Sequence, residues 1–158
     1  MTEKTKPKKR AIPLGIKFIV GFNLLNILLW TIGQGGAVIA YDTVASWGFQ
    51  DPRSILDPVI VEVNRGIGLS DMIIMMPLFM IGVVGLWQLK FYGAVASWMA
   101  FGCSIYWPTI YWICQHFYGQ AGIKYLPTTL QNTIILSIIF GFTLWASWYL
   151  FRNYKALN

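Results

Sequence analysis

Polar side chains are sparse over four long stretches of the chain, Leu14–Ala40, Leu69–Leu89, Tyr92–Phe117 and Thr129–Phe151, and crowd between and outside them. A helix needs about 20 apolar residues to cross roughly 30 Å of hydrocarbon, and each stretch is long enough. The pattern predicts an all-α integral membrane protein, an antiparallel up-down bundle of four transmembrane helices. It forms one domain over residues 14–152, between a basic tail (1–13) and a short tail (153–158). Lys90-Phe91 leaves so little chain between the second and third stretches that they must form a hairpin, and the Gly119–Thr128 segment makes the third and fourth neighbours as well. The first stretch ends in Val38-Ile39-Ala40, which has the form of a signal-peptidase site, but its apolar run far exceeds a signal peptide's, so a retained helix is expected.

The one long connection, residues 41–68, carries helix punctuation of its own. Asp57 reads as an N-cap, Pro58 as the first helical residue and Gly66 as the residue after the last turn, which predicts a short helix over Val59–Arg65 lying on the mouth of the bundle. A helix running straight on into the second stretch is the alternative, and Gly66 and Gly68 weigh against it.

Composition supports the lipid setting: 56% of residues are hydrophobic and 11% charged. The net charge of +6 is concentrated at Lys4, Lys6, Lys8, Lys9, Arg10 and Lys17. Basic residues placed against an apolar run signal topology and attract anionic headgroups, so anionic lipid is the expected partner of the tail and nucleic acid is not. On the side of the N-terminus, Lys90, Arg152 and Lys155, nine basic residues face one acid, Glu3; on the other, Arg53, Arg65 and Lys124 face Asp42, Asp51, Asp57, Glu62 and Asp71. The positive-inside rule then puts both termini in the cytoplasm of a multi-pass protein of the cell (inner) membrane. Trp87, Tyr92, Trp148, Tyr149 and Tyr154 fall near one set of helix ends and Tyr41, Trp47, Tyr118 and Tyr125 near the other, as interfacial belts do.

Candidate chemistry is limited. Cys103 and Cys114 are eleven residues apart on one helical stretch, roughly 16 Å, and cannot pair where a disulfide needs Cα atoms within about 7 Å. A single histidine, His116, and scattered acids give no metal-ligand spacing, and no P-loop, Gly-x-Ser-x-Gly or His-Glu-x-x-His occurs, so neither cofactor nor metal is expected. In the first stretch Asn23, Trp30 and Gln34 lie within about 20° of one line, with Asn26 some 60° aside, a polar stripe that must face other helices. Such amides glue helices together or line a polar path. Asp71 opens the second stretch, where it reads either as N-terminal helix chemistry with Ser70 or as a functional intramembrane acid. Arg65 and Glu62 are three residues apart and suited to an ion pair. On the third stretch Ser97, Ser104, Tyr111 and Gln115 form a near-helical line beside Tyr106, Trp107 and Trp112, and Pro108 suggests a kink. Gly82, Gly85, Gly93, Ser97, Ser137 and Gly141 are small enough for close helix contact.

The function expected from this inventory is binding without catalysis. An outward-opening bundle cavity would take a lipid, a small apolar or amphipathic molecule or a membrane protein partner, with Asp71 and Arg65 at its mouth and Asn23, Gln34, Tyr111 and Gln115 as deeper polar contacts. A transporter or channel acting as a homo-oligomer through Asp71 is the alternative, and a lipid-modifying enzyme using Asp71 or Glu62 a weaker third.

Overall fold

The computed structural model describes residues 11–157; the basic cluster from Lys4 to Arg10 and the final Asn158 lie outside them. Helix makes up 84% of the structure, and no strand occurs among the described residues. The chain is all-α. Its helices are α1 (Leu14–Ile39), α2 (Tyr41–Ser46), α3 (Pro58–Trp87), α4 (Phe91–Ala121) and α5 (Leu130–Asn153). Helices α1, α3 and α5, the last extended by a turn to Ala156, have the length and apolar composition needed to cross a membrane.

Helix α1 buries Ile16, Ile19, Val20, Asn23, Asn26 and Trp30, a stripe at steps of three and four residues that faces the other helices. Over Thr31–Gly35 it widens into a π-helical turn, then closes with one α-helical turn and ends where Ala40 leaves helical geometry. Glycine at 33, 35 and 36 lets neighbouring groups come close: a Cβ on Gly35 would sit 3.2 Å from Met72 Sδ.

Two expectations about the outer connection are corrected. The short helix in the loop is α2, at Tyr41–Ser46, and the segment after Asp57 is the first part of α3, which continues without a break to Trp87. Asp57 does cap it, accepting from the Val59 N–H at 2.9 Å, and Pro58 is its first residue. Gly66, however, is helical and ends nothing. A glycine inside a helix costs only about 1 kcal/mol. Packing outweighs that here: Gly68 lies against the backbone of the first π-turn, where a Cβ would meet Gln34 O at 2.6 Å. Asp71 consequently does not start a helix. It starts a second π-turn, Asp71–Met75, within α3, so the helix-start role for Ser70 and Asp71 falls, and the Ser70 hydroxyl instead bonds back to Gly66 O at 3.0 Å. Pro77 accounts for the widening, since it has no N–H for the carbonyl four residues back and its ring crowds that carbonyl.

The α3–α4 turn is closed by a Schellman pair: Lys90 N–H bonds to Gly85 O at 2.8 Å and Leu89 N–H to Leu86 O at 3.0 Å. Leu89 takes the left-handed position (φ 53°) that glycine usually fills and is 7% exposed, so burial of its side chain holds the strained residue. Directly beneath, Gly85 and Gly93 touch through their backbones. Gly141 plays no such part, since nothing lies within 4 Å of where its Cβ would be. Helix α4 runs unbroken through Pro108, and Gly122 (φ 66°) ends it.

Helix α3 packs on both α1 and α4, and α4 on α5. Phe22 of α1 stacks on Phe142 of α5 at 4.3 Å, and Trp98 of α4 donates to Ser147 O of α5 at 3.2 Å. Two cores result. The larger centres on Ile19, Met75, Met76, Phe79, Phe101 and Leu150. The smaller lies at the opposite end from the Lys90 turn, where Ala37, Tyr41, Val44, Leu56, Ile60 and Val61 hold α2 and the following loop onto α3.

Candidate functional site

The two π-turns face one another across α1 and α3. Trp30, just before the first, donates its indole N–H to Asp71 Oδ2 of the second at 3.1 Å, and Thr31 Oγ1 lies 3.7 Å from Met76 Sδ. Gln50, from the loop, donates to Gly33 O at 3.3 Å, satisfying a carbonyl of the first π-turn. The Trp30 ring meets Trp107 of α4 edge-on at 6.1 Å, and Trp107 stacks on Tyr111 at 5.5 Å and 12°. An aromatic series thus runs from Asp71 through Trp30 and Trp107 to Tyr111. π-Turns of this kind recur at functional positions.

Tyr111 opens onto a cavity of about 180 Å³ that is also lined by Gln50, Asp51, Asn64, Trp107 and Asn132. A second cavity, about 150 Å³, shares Asp51, Asn64, Trp107 and Tyr111 with the first and continues past Gln115 toward Tyr118 and Tyr125. Four side chains from the loop, α3 and α4 therefore form the common wall of one bipartite space, at the end of the helices away from Lys90. The loop is fixed over it by Tyr41, whose hydroxyl donates to Asp51 O at 3.1 Å, and by Asp57 N–H, which donates to Lys124 O at 2.9 Å.

Asp51 is the chemically distinctive member. Its carboxylate is half-buried and makes no hydrogen bond or ion pair among the described residues. Burial alone pushes its pKa above the ordinary carboxylate value. The two nearest arginines are engaged elsewhere. Arg53 bonds Asp42 at 3.0 Å, reaches Glu62 at 3.8 Å and lies over the Tyr41 ring at 4.7 Å; Arg65 bonds Glu62 at 2.8 Å. Burial likewise raises the pKa of the Tyr41 phenol, with the nearby Asn64 side chain opposing the shift more weakly.

Of the residues singled out from sequence, Tyr111 and Gln115 line this space. Gln115 spends its polar atoms on structure: Oε1 accepts from Thr128 N–H at 2.9 Å and from the Thr128 hydroxyl at 2.6 Å, and Nε2 donates to Leu126 O at 3.4 Å. Asn23, Gln34, Arg65 and Asp71 do not line it. Asn23 is fully buried, donating to Ser97 Oγ of α4 at 3.2 Å, with its own Oδ1 unpartnered. Gln34 belongs to the first π-turn. Arg65 fastens the end of α1 by donating to Val38 O at 3.3 Å and does not reach Asp71. Sequence reasoning did not single out Asp51, Asn64 or Gln50, because their convergence depends on the path of the loop. A separate groove of about 520 Å³ beside α2, lined by Ile32, Ile39, Trp47, Leu69 and Met72, is apolar.

No family model, curated protein or solved structure matches the chain.

Proposed function

We propose that this chain is a four-span protein of the cell membrane, with both termini cytoplasmic, that binds a small amphipathic molecule at its outward end. Helix α4 serves as the fourth span: its 31 residues, about 46 Å of helix, lie between the apolar helices α3 and α5 and must follow them through the bilayer. The orientation rests on charge, with Lys90, Arg152 and the basic tail at one end and Asp42, Asp51, Asp57 and Glu62 at the other. The observation that carries the binding reading is the bipartite cavity whose shared wall is Asp51, Asn64, Trp107 and Tyr111. Apolar and aromatic surface with a few convergent polar groups is the usual make-up of a ligand site.

Native mass spectrometry of protein extracted in mild detergent tests this reading. A small molecule or single lipid retained by the wild type and lost in a Tyr111→Leu variant supports it; bare protein in every preparation, with no thermal shift from any added amphiphile, counts against it.

The π-turn pair favours a second reading, transport, because Asp71 lies at a joint between two helices and connects to the cavity through Trp30, Trp107 and Tyr111. Proteoliposome flux unchanged by Asp71→Asn would remove that acid from such a role.

A further inference from the structure

We infer that the occupant of the cavity is a small organic cation, an alkylammonium or quaternary ammonium group, held by Asp51 against the rings of Trp107 and Tyr111. This rests on the cavity-binding reading above and names its ligand class.

Three observations converge. First, the Asp51 carboxylate lines both halves of the cavity with no cation or hydrogen-bond donor of the chain upon it among the described residues. A carboxylate partly withdrawn from water without a partner bears part of the desolvation cost, and an incoming cation supplies the missing charge. Arg53 and Arg65 are spent on Asp42 and Glu62, and Lys124 lines neither half of the cavity. Second, the rest of the lining lacks basic side chains and is rich in aromatic ones, with Tyr118 and Tyr125 beyond Trp107 and Tyr111. Ring faces attract organic cations, the more strongly the drier the site. Third, volume limits the guest. At about 180 and 150 Å³ the two halves together lie at the small end of the roughly 300–1,000 Å³ range of ligand pockets, so a headgroup fits and a bulky molecule does not. Asn64, Gln50 and Asn132 supply polar contacts for a hydroxyl or a hydrated flank.

A free amine and the ammonium headgroup of a membrane lipid present the same chemistry, and the test separates them. Protein in nanodiscs of phosphatidylglycerol alone, which carries no ammonium headgroup, is titrated with hexyltrimethylammonium, hexylammonium and neutral hexanol, and tryptophan fluorescence is followed. The expected result is saturable quenching by both cations at concentrations on the order of tenfold lower than by hexanol. In Asp51→Asn the cations should fall to the level of hexanol while hexanol is unchanged, and in Tyr111→Leu all three should weaken. Repeating the titration in phosphatidylcholine nanodiscs assigns the source. Competition that raises the apparent Kd severalfold supports a lipid headgroup, and an unchanged Kd supports a free amine. Equal affinity for hexanol and the cations in the wild type overturns the cation inference while leaving a cavity that binds amphiphiles. Cation binding unaffected by Asp51→Asn also overturns it. Saturable binding by none of the three overturns both the inference and the reading beneath it.

Discussion

Trp30→Phe deletes one N–H from the joint between the two π-turns and leaves the Asp71 carboxylate, whose hydrogen bond at 3.1 Å is to that indole, without its donor. A hydrogen bond to a charged group contributes about 1.5–3 kcal/mol in water-soluble proteins, whereas interhelical polar contacts in membranes average about 0.6 and reach about 1.7. The partly buried Asp71 falls between these cases, so the lost bond should cost about 1.5 kcal/mol. Trimming an indole that is 9% exposed and packed on Trp107 adds about 1 more. Asp71→Asn should behave differently, because the amide oxygen still accepts from the indole and a charge is no longer drawn out of water; its stability should stay within about 0.5 kcal/mol of wild type. In the double variant only the packing loss and a neutral unsatisfied amide remain, giving a coupling energy of about 1 kcal/mol. Unfolding of the four proteins in mixed micelles by added sodium dodecyl sulfate, followed by far-ultraviolet circular dichroism, measures each quantity. Equal destabilisation by the two single variants, or a coupling under about 0.3 kcal/mol, would refute the claim that this bond joins the π-turns.

Other substitutions separate competing effects. Gly85→Ala should destabilise by about 1–3 kcal/mol, since its Cβ would lie 2.6 Å from Gly93 N and backbone cannot yield cheaply; Gly141→Ala, with open space around it, should gain up to about 1 kcal/mol of helix propensity, and the same denaturation assay reads both signs. Leu89→Gly relieves about 1–2 kcal/mol of left-handed strain but gives up about 2–3 kcal/mol of burial, so a net loss is expected in thermal melts. Asp51→Asn should melt higher than wild type at pH 7. Burial raises the folded-state pKa of Asp51, so its contribution to stability is intact below the ordinary carboxylate pKa and is lost as pH rises through the folded value. The difference between the two proteins should therefore close as the solution is acidified, and a gap that persists or widens in acid would count against burial as the cause.

The ends of α1 and the starts of α4 and α5 could be read from the chain because each couples a long apolar run to local chemistry, such as the Thr129 side chain that accepts from Asn132 N–H at 3.2 Å, but α4 runs past the expected Phe117 to Ala121, taking Gly119 into the helix. The start of α3 was equally plain in Asp57-Pro58. Its continuity was not, because Gly66 and Gly68 look like a stop until the backbone of Gln34 is seen packed on Gly68. Periodicity placed Tyr111 and Gln115 on one face of α4, and both line the cavity. The other half of that wall escaped notice for a different reason. Asp51 and Asn64 are thirteen residues apart, with no common helical face. What unites them is tertiary: Tyr41 holding Asp51 O, and Asp57 tied to Lys124 across the mouth. The reading of Asp71 as a guard of that mouth similarly assumed a helix beginning there, and the continuous α3 places it deeper, at Trp30.

Cysteine accessibility in intact cells tests the central claim most directly. With Cys103 and Cys114 replaced by serine, an Asn64→Cys variant should react with a membrane-impermeant maleimide added outside, and the reaction should slow several-fold when a small amphipathic ammonium such as decyltrimethylammonium is present. A Lys90→Cys variant should react only after the cells are permeabilised. Labelling of the Lys90→Cys variant in intact cells would reverse the orientation, and an Asn64→Cys rate indifferent to every amphiphile would contradict the binding site.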